Sequence, residues 1–296
     1  MRLCSKMLSL LIFSTALIQR TKYLKMNILN KIVAHKRQEV AERKERYPIK
    51  LMEESIYFDT PTVSLSAYLR RPDRHGIIAE FKRRSPSKGD INPYAKVEEV
   101  SIGYMQAGAS ALSVLTDQHF FGGKNADLTE ARKFNFCPIL RKDFIIDEYQ
   151  ILEARSIGAD AILLIAACLT KGELHRLASF ARSLDLEVLV ELHAEEELAK
   201  LSPEANVVGV NNRDLQTFEV SISHSLQLFP KLPTEMVKIS ESGLNDPQAI
   251  VELRRVGFEG FLIGEYFMRD ERPGQRCREF IQHIHRLEQL LDGAIA

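Results

Sequence analysis

A predicted strand near residue 80 ends with an acid and a base on the same face. In the stretch GIIAEFKRRSPSKGDI, the strand covers residues 77–81, and Glu80 and Lys82 lie two positions apart. Because strand side chains alternate between the two faces, Ile78, Glu80 and Lys82 point the same way. A buried charge must be paired or solvated. An acid and a base held side by side can donate and accept protons.

Similar polar residues end three further predicted strands. They are Lys142 in PILRKDF, Glu191 in VLVEL, and Asn211 and Arg213 in VGVNNRD. A single one of them is explained as well by a strand-end side chain that reaches solvent. Taken with Glu80 and Lys82, the whole set favours one site in which two lysines and two glutamates tune each other's pKa for acid–base chemistry.

Small residues follow the last two predicted strands. ISESGLNDPQAI places Ser242 and Gly243 after one strand, and FLIGEYF places Gly264 and Glu265 after the other. Small side chains let backbone N–H groups approach an anion, and many barrels bind phosphate at these two loops. Two ordinary glycine turns are the alternative. The phosphate interpretation gains from Lys82, a cation expected in the same cavity.

These residues require a scaffold that brings strand ends together. Three segments share a pattern in which a helix ends at glycine and an apolar strand begins four residues later, with Gly108, Gly158 and Gly257 before Leu112, Ile162 and Phe261. Other predicted strands are residues 77–81, 138–140, 187–191, 207–211 and 237–240, and predicted helices include 147–156, 171–184, 194–201 and 247–255. Eight alternating units predict a (β/α)8 TIM barrel. An open doubly wound sheet is less favoured, because no GxGxxG follows the first strand.

The N-terminal region is expected to consist of two parts. Residues 1–25 contain an apolar run too short to span a bilayer and lack a clear cleavage site, so we interpret them as an upstream extension rather than a signal peptide. Residues 26–70 are predicted to form a helical extension that begins at Met26. Residues 71–296 are then the barrel and catalytic domain.

Composition excludes several classes of function. The chain has 296 residues, with forty basic residues balanced by forty acidic ones, so no net field attracts nucleic acid or a membrane surface. The four cysteines, Cys4, Cys137, Cys168 and Cys277, form neither a CxxC pair nor a metal-ligand cluster. We therefore expect a reduced, cytoplasmic protein without a disulfide framework.

The loop TDQHFFGG is harder to interpret. His119 is expected to be an exposed loop residue, and Phe120 and Phe121 form an apolar tip. Such a tip suits a lid over an aromatic substrate and equally suits simple packing. His283 and His285 are predicted to lie on the surface of the last helix.

The assembled motifs resemble those of indole-3-glycerol phosphate synthase, a lyase of tryptophan biosynthesis. NILNKIVAHKRQEV, IAEFKRRSPSKG, LTDQHFFGG, PILRKDFIIDEYQI, LVELH, GVNNRDL, ISESGL and FLIGE occur in family order from about Met26 onwards. The resemblance implies a (β/α)8 barrel with an N-terminal extension and no cofactor. It implies decarboxylation and dehydration of 1-(2-carboxyphenylamino)-1-deoxyribulose 5-phosphate, and a weak association with other enzymes of the pathway.

The resemblance also implies roles for individual residues. Catalysis is assigned to Lys142 as general acid at the ribulose carbonyl, to Lys82 in substrate binding and dehydration, and to Glu191 and Glu80 in acid–base function. Substrate binding is assigned to Ser85, Phe121, Phe144, Asn211 and Arg213, the two aromatic residues lining the anthranilate pocket. Phosphate binding is assigned to Ser242, Gly243, Gly264 and Glu265.

Two other functions are weighed against this interpretation. One is another phosphate-binding barrel of amino-acid biosynthesis, of the phosphoribosylanthranilate isomerase type, but AEFKRRSPS and PILRKDF place lysines on two separate strands. The other is a catalytically inactive barrel kept for binding, and every acid–base position is filled here.

Overall fold

Eight parallel strands form a closed barrel in the computed structural model, which describes residues 27–214, 217 and 219–293. The strands are β1 (Ile77–Phe81), β2 (Ala111–Leu115), β3 (Ile139–Lys142), β4 (Ala161–Ile165), β5 (Glu187–Leu192), β6 (Val207–Asn211), β7 (Val237–Glu241) and β8 (Gly260–Ile263). Each strand pairs with the next along the chain, and β8 closes the barrel on β1. The predicted (β/α)8 barrel is confirmed.

Helices precede the barrel and alternate with its strands. They are α1 (Ile28–Arg46), α2 (Ile49–Glu53) and α3 (Leu65–Leu69) before β1, and then α4 (Val97–Ala107), α5 (Asn125–Phe134), α6 (Glu148–Ser156), α7 (Lys171–Ser183), α8 (Ser223–Leu228), α9 (Pro247–Val256), α10 (Glu265–Met268) and α11 (Pro273–Gly293). The glycines predicted to end three helices, Gly108, Gly158 and Gly257, all have positive φ. That conformation is costly for other residues.

The helical segment predicted at residues 194–201 lies between β5 and β6 as a 3₁₀ helix, Glu195–Lys200. It ends at Leu201, whose backbone is no longer helical, and Pro203 follows two residues later. Pro203 also disfavours the α region for the backbone of Ser202.

The barrel interior is apolar at its lower and middle levels. Its buried side chains come from the strands and include Ile78, Leu140, Leu163, Leu189, Val207, Ile239 and Leu262. Leu65 and Leu69 of α3 pack against this cluster and close the N-terminal end of the barrel. Helix α3 is also fixed by Glu187, which accepts hydrogen bonds from Ser64 Oγ at 2.6 Å and from the backbone N–H of Ser66 at 2.7 Å.

Helix α1 lies against α6 and the short 3₁₀ helix Ala166–Cys168. Asn27 caps it by accepting a hydrogen bond from the backbone N–H of Asn30, and its buried side chains include Ile32 and Val40. Tyr149 anchors its C-terminal end by donating to the carbonyl oxygens of Arg43 and Tyr47. The N-terminal extension is therefore packed on the barrel.

The expectation for residues 1–25, and for Met26 as the start of the extension, lies outside the described residues. The division of the chain at residues 70 and 71 stays a prediction. Within the part that the structure describes, no helix combines the length and the apolar character needed to cross a bilayer.

We expect Leu65→Ala to lower the free energy of unfolding by about 2–4 kcal/mol, because it removes a fully buried side chain from the closed end of the barrel. Urea unfolding measures the change. Leu51→Ala is the matched control, since Leu51 lies on α2 of the same extension with 58% of its surface exposed. Equal effects of the two substitutions would show that α3 does not close the barrel.

Candidate active site

A cavity of about 420 Å³ opens at the C-terminal ends of the strands. All thirteen residues singled out in the sequence line it, namely Glu80, Lys82, Ser85, Phe121, Lys142, Phe144, Glu191, Asn211, Arg213, Ser242, Gly243, Gly264 and Glu265. The structure therefore brings together the strand-end residues that strand alternation predicted to share one site. The role of each residue stays a prediction.

Strand β1 supplies the first ion pair. Lys82 Nζ lies 2.8 Å from Glu80 Oε1, and Ser113 of β2 donates to the other carboxylate oxygen of Glu80 at 3.3 Å. Gly264 leaves room for this carboxylate, because a Cβ at that position would lie 2.5 Å from Glu80 Oε1. The short antiparallel hairpin of Arg84–Ser85 and Gly89–Asp90 follows β1 and brings Ser85 to the cavity.

Lys142 lies at the centre of the second group of charges. Its Nζ donates to Glu191 Oε2 at 3.1 Å and lies 3.8 Å from Glu241 Oε2. Glu191 Oε1 is held by Asn211 Nδ2 and His193 Nε2, each at 3.1 Å. The Lys142 side chain is 16% exposed, so its ammonium is partly accessible from the cavity.

Glu241 and His193 were missed in the sequence. Glu241 ends β7 on the same face as Val237 and Ile239, so the alternation that found Glu80 also points to it. Its carboxyl occupies space left by Gly209, where a Cβ would lie 2.3 Å from Glu241 Oε1. The predicted strand, residues 237–240, stops one residue short of Glu241.

The charges separate the pKa values of neighbouring carboxyls. Burial alone would lower the pKa of Lys142, but the charges of Glu191 and Glu241 outweigh it, and the net pKa is raised. Burial alone would raise the pKa of Glu191, but the charges of Lys142 and His193 lower it to about 2. Burial and the charge of Glu191 raise the pKa of Glu241 well above its ordinary value. Such separated carboxyls are typical of catalytic acid–base sites.

The loops after β7 and β8 have backbone suited to an anion. Ser242 and Gly243 both have positive φ, 70° and 72°, and both line the cavity, where backbone N–H groups beside small residues can approach an anion. For a residue other than glycine, the Ser242 conformation is strained, which is common at functional sites. Gly264 caps α10, so the N-terminus of that helix faces the same cavity. Asp246 and Pro247 begin α9 as predicted.

Aromatic side chains form another wall. The rings of Phe121 and Phe144 have centroids 5.8 Å apart, and both residues line the cavity. Phe120 instead packs edge-on against His35 of α1, and the exposed His119 also stacks on His35. At the tip of the loop, Phe121 therefore lines the cavity, and Phe120 packs against the N-terminal extension.

Helix α1 also lines the cavity. Ile28, Leu29 and Ile32 contribute apolar surface beside the aromatic wall. The sequence predicts the helix but not this contact. The spacing of apolar residues in α1 indicates a buried face, but it does not indicate which part of the barrel that face packs against. The site is therefore completed by the N-terminal extension.

Metal binding finds no support in the described part of the chain, where no group of three or more histidine, cysteine or carboxylate side chains is arranged to hold an ion. His283 and His285 are exposed, as predicted. Cys137, Cys168 and Cys277 are free thiols, and Cys4 lies outside the described residues.

Comparison with known proteins gives matches along most of the chain. A family model described as indole-3-glycerol phosphate synthase matches residues 29–280. A curated protein of that name from Bacteroides thetaiotaomicron is 47% identical over 258 residues, which cover 87% of this chain and 99% of the relative. Another from Polaromonas naphthalenivorans is 43% identical over 257 residues, covering 86% of this chain and 98% of the relative.

Solved structures with a similar fold are more distant in sequence. A mutant tryptophan synthase α-subunit from Pyrococcus furiosus has a TM-score of 0.55 at 14% identity, covering 72% of this chain and 98% of that chain. Thiamine phosphate pyrophosphorylase from the same organism has a TM-score of 0.54 at 13% identity, covering 75% and 99%. Likeness at this level of identity shows the shared barrel fold alone.

We expect acid to weaken the folded state partly through Glu191. Its folded pKa of about 2 lies below the ordinary 4.5, so its contribution is complete above pH 4.5 and is lost as the pH falls through 2. Lys142→Met removes the charge that lowers this pKa. Between pH 7 and pH 3, the variant should therefore lose about 2 kcal/mol less unfolding free energy than the unchanged protein.

Urea unfolding at the two pH values gives this difference. Carboxylates away from Lys142 respond to acid equally in both proteins and cancel in the comparison. Glu241 does not cancel, because the charge of Lys142 also lowers its pKa, but loss of that charge changes the difference in the same direction as for Glu191. The account of the pair is wrong if both proteins lose the same free energy.

Proposed function

The chain belongs to the indole-3-glycerol phosphate synthase family, and we propose how its cavity performs the reaction of that family. The chain is a carboxy-lyase of tryptophan biosynthesis. It converts 1-(2-carboxyphenylamino)-1-deoxyribulose 5-phosphate to indole-3-glycerol phosphate, with release of CO2 and water. The site must therefore bind an aromatic acid at one end and a phosphate at the other, and protonate the sugar between them.

The two ends of the substrate fit the two kinds of wall. We place the aromatic ring against Phe121 and Phe144, where a planar apolar group can stack. The phosphate binds at the loops after β7 and β8, at the backbone of Ser242 and Gly243 and the backbone N–H groups at the start of α10. Lys82 adds a positive charge for the anionic substrate. This orientation places the ribulose carbonyl between the walls, on the side of Lys142.

Ring closure begins with attack of the electron-rich aromatic ring on the ribulose carbonyl carbon. As the C–C bond forms, Lys142 donates a proton to the carbonyl oxygen, which becomes a hydroxyl. The ring carboxylate then leaves as CO2, and its bonding electrons restore aromaticity. Glu191 keeps Lys142 protonated beforehand, since an ion pair favours the charged form.

Dehydration completes the indole. Lys82 protonates the new hydroxyl, which leaves as water, and a carboxylate removes a proton from the neighbouring sugar carbon. Glu191 and Glu80 are the ionisable carboxyls assigned to this work, and Asn211, Arg213 and Ser85 orient the sugar. Two protons are delivered and one is removed. The difference is taken from solvent, as loss of CO2 from a carboxylate requires.

One observation carries the proposal. A partly accessible ammonium, Lys142, lies between two carboxyls with opposite pKa shifts, at the mouth of a barrel whose opposite walls suit a ring and a phosphate. Family membership argues against phosphoribosylanthranilate isomerase activity. The filled acid–base positions argue against an inactive barrel. Cytoplasmic location and weak association with other enzymes of the pathway stay predictions.

We expect Lys142→Met to lower kcat by about 10²–10⁴-fold, the usual contribution of one positioned proton donor. The measurement adds the carboxyphenylamino-deoxyribulose phosphate to the protein and follows indole fluorescence without added metal. Lys133→Met is the matched control, because Lys133 lies on α5 with 53% of its side chain exposed. Near-normal turnover by Lys142→Met would refute the assignment of the general acid.

A further inference from the structure

A buried charge ring joins helix α1 to the barrel beside Lys142. Its members are Lys36, Glu39 and Arg43 on α1, and Asp117, Arg141, Asp143 and Glu153 on the barrel. Ion pairs with N···O distances of 2.5 to 3.3 Å connect Lys36 through Glu39, Arg43, Glu153, Arg141 and Asp143 back to Lys36. Asp117 joins at Lys36. None of the catalytic steps above uses these residues.

Lys36 is the member on which the others converge. Its Nζ lies 2.8 Å from Glu39, 3.0 Å from Asp117 and 3.0 Å from Asp143. Its side chain is 1% exposed, and those of Asp117 and Asp143 are 0% and 2% exposed. A buried carboxylate without a cation is strongly unfavourable. The two barrel aspartates therefore depend on an ammonium supplied by the N-terminal extension.

Each of these aspartates holds the backbone of an aromatic wall residue. Asp117 Oδ1 accepts hydrogen bonds from the N–H groups of Phe120 at 2.8 Å and Phe121 at 3.1 Å. Asp143 Oδ1 accepts one from the N–H of Phe144 at 2.8 Å. Phe121 and Phe144 are thus attached to two carboxylates that share the ammonium of Lys36, and Asp143 also pairs with Arg141 at 3.3 Å. Because Lys36 draws the two carboxylates together, it helps to fix the position of one ring relative to the other.

We propose that Lys36 is a positioning residue for the aromatic end of the substrate. By pairing with Asp117 and Asp143 at once, it sets how the rings of Phe121 and Phe144 lie relative to each other, and so the shape of the aromatic slot, which is the surface of these two rings that receives the ring of the substrate. The inference rests on the proposed function, since that function places the ring in this slot. Among the described residues, no hydrogen bond or ion pair joins the phosphate loops after β7 and β8 to the buried charge ring, whose bonds stay within α1 and the barrel.

The same helix offers a matched control for simple docking. Lys44 of α1 pairs with Asp147, the N-cap of α6, at 2.8 Å, and is 47% exposed. It ties the extension to the barrel without reaching either phenylalanine. A loss of helix docking should affect Lys44→Met in the same direction as Lys36→Met. A loss of slot geometry should affect Lys36→Met alone.

The experiment measures binding of two fragments to each variant by calorimetry, together with steady-state kinetics. Anthranilate probes the aromatic slot, and ribulose 5-phosphate probes the phosphate end. Lys36→Met should weaken anthranilate binding and raise KM by about tenfold, the scale of a poorly fitted apolar contact, with a smaller change in kcat. Ribulose 5-phosphate binding should stay within about twofold of the unchanged protein. Lys44→Met should match the unchanged protein in both.

Three results would overturn the inference. The first is unchanged anthranilate binding by Lys36→Met. The second is an equal loss of anthranilate and ribulose 5-phosphate binding by that variant, which would show a collapsed cavity rather than a displaced slot. The third is an equal weakening of anthranilate binding by Lys44→Met. The proposed function is tested separately. It fails if the unchanged protein does not turn over the full substrate. If the unchanged protein turns over the substrate and Lys36→Met binds both fragments normally, only the role of Lys36 is removed.

Discussion

The ammonium of Lys142 lies in the barrel where little water reaches it, and neighbouring carboxyls pair with it while leaving it accessible from the cavity. Lys142 is only 16% exposed, and its ammonium lies between Glu191 and Glu241. Burial of such a group is unfavourable unless oxygen partners replace water. Glu191 is ionised, and Glu241 tends to keep its proton. Lys142 therefore remains a proton donor that is charged, oriented and within reach of a substrate.

Closure of the barrel explains why these groups meet. The acid–base residues come from alternate strands, with Glu80 and Lys82 on β1, Lys142 on β3, Glu191 on β5 and Glu241 on β7. In such barrels, a layer of inward side chains comes from every second strand. The strands between them contribute small residues, since Gly209 on β6 and Gly264 after β8 leave space for the carboxyls of Glu241 and Glu80. The charged side chains of one layer and the glycines beside them thus form a single packing arrangement.

The alternation of strands with helices was enough to predict the barrel, and the two-residue period within the strands was enough to place Glu80, Lys142 and Glu191 at one cavity. The same period points to Glu241, which was missed because the predicted strand, residues 237–240, stops one residue short of it. The apolar surface from α1 and the buried charge ring were not predictable in this way. Arg43 and Glu153, for example, lie 110 residues apart, and only the folded chain brings them together.

The protonation states of the central group test the account most directly. Carbon-13 NMR titration of the glutamate carboxyls, assigned with Glu191→Gln and Glu241→Gln, measures them. The account predicts that Glu191 titrates well below the ordinary 4.5 and that Glu241 titrates well above it. Two carboxyls that titrate together near 4.5 would contradict it, because Lys142 would then lack the arrangement that makes it a proton donor.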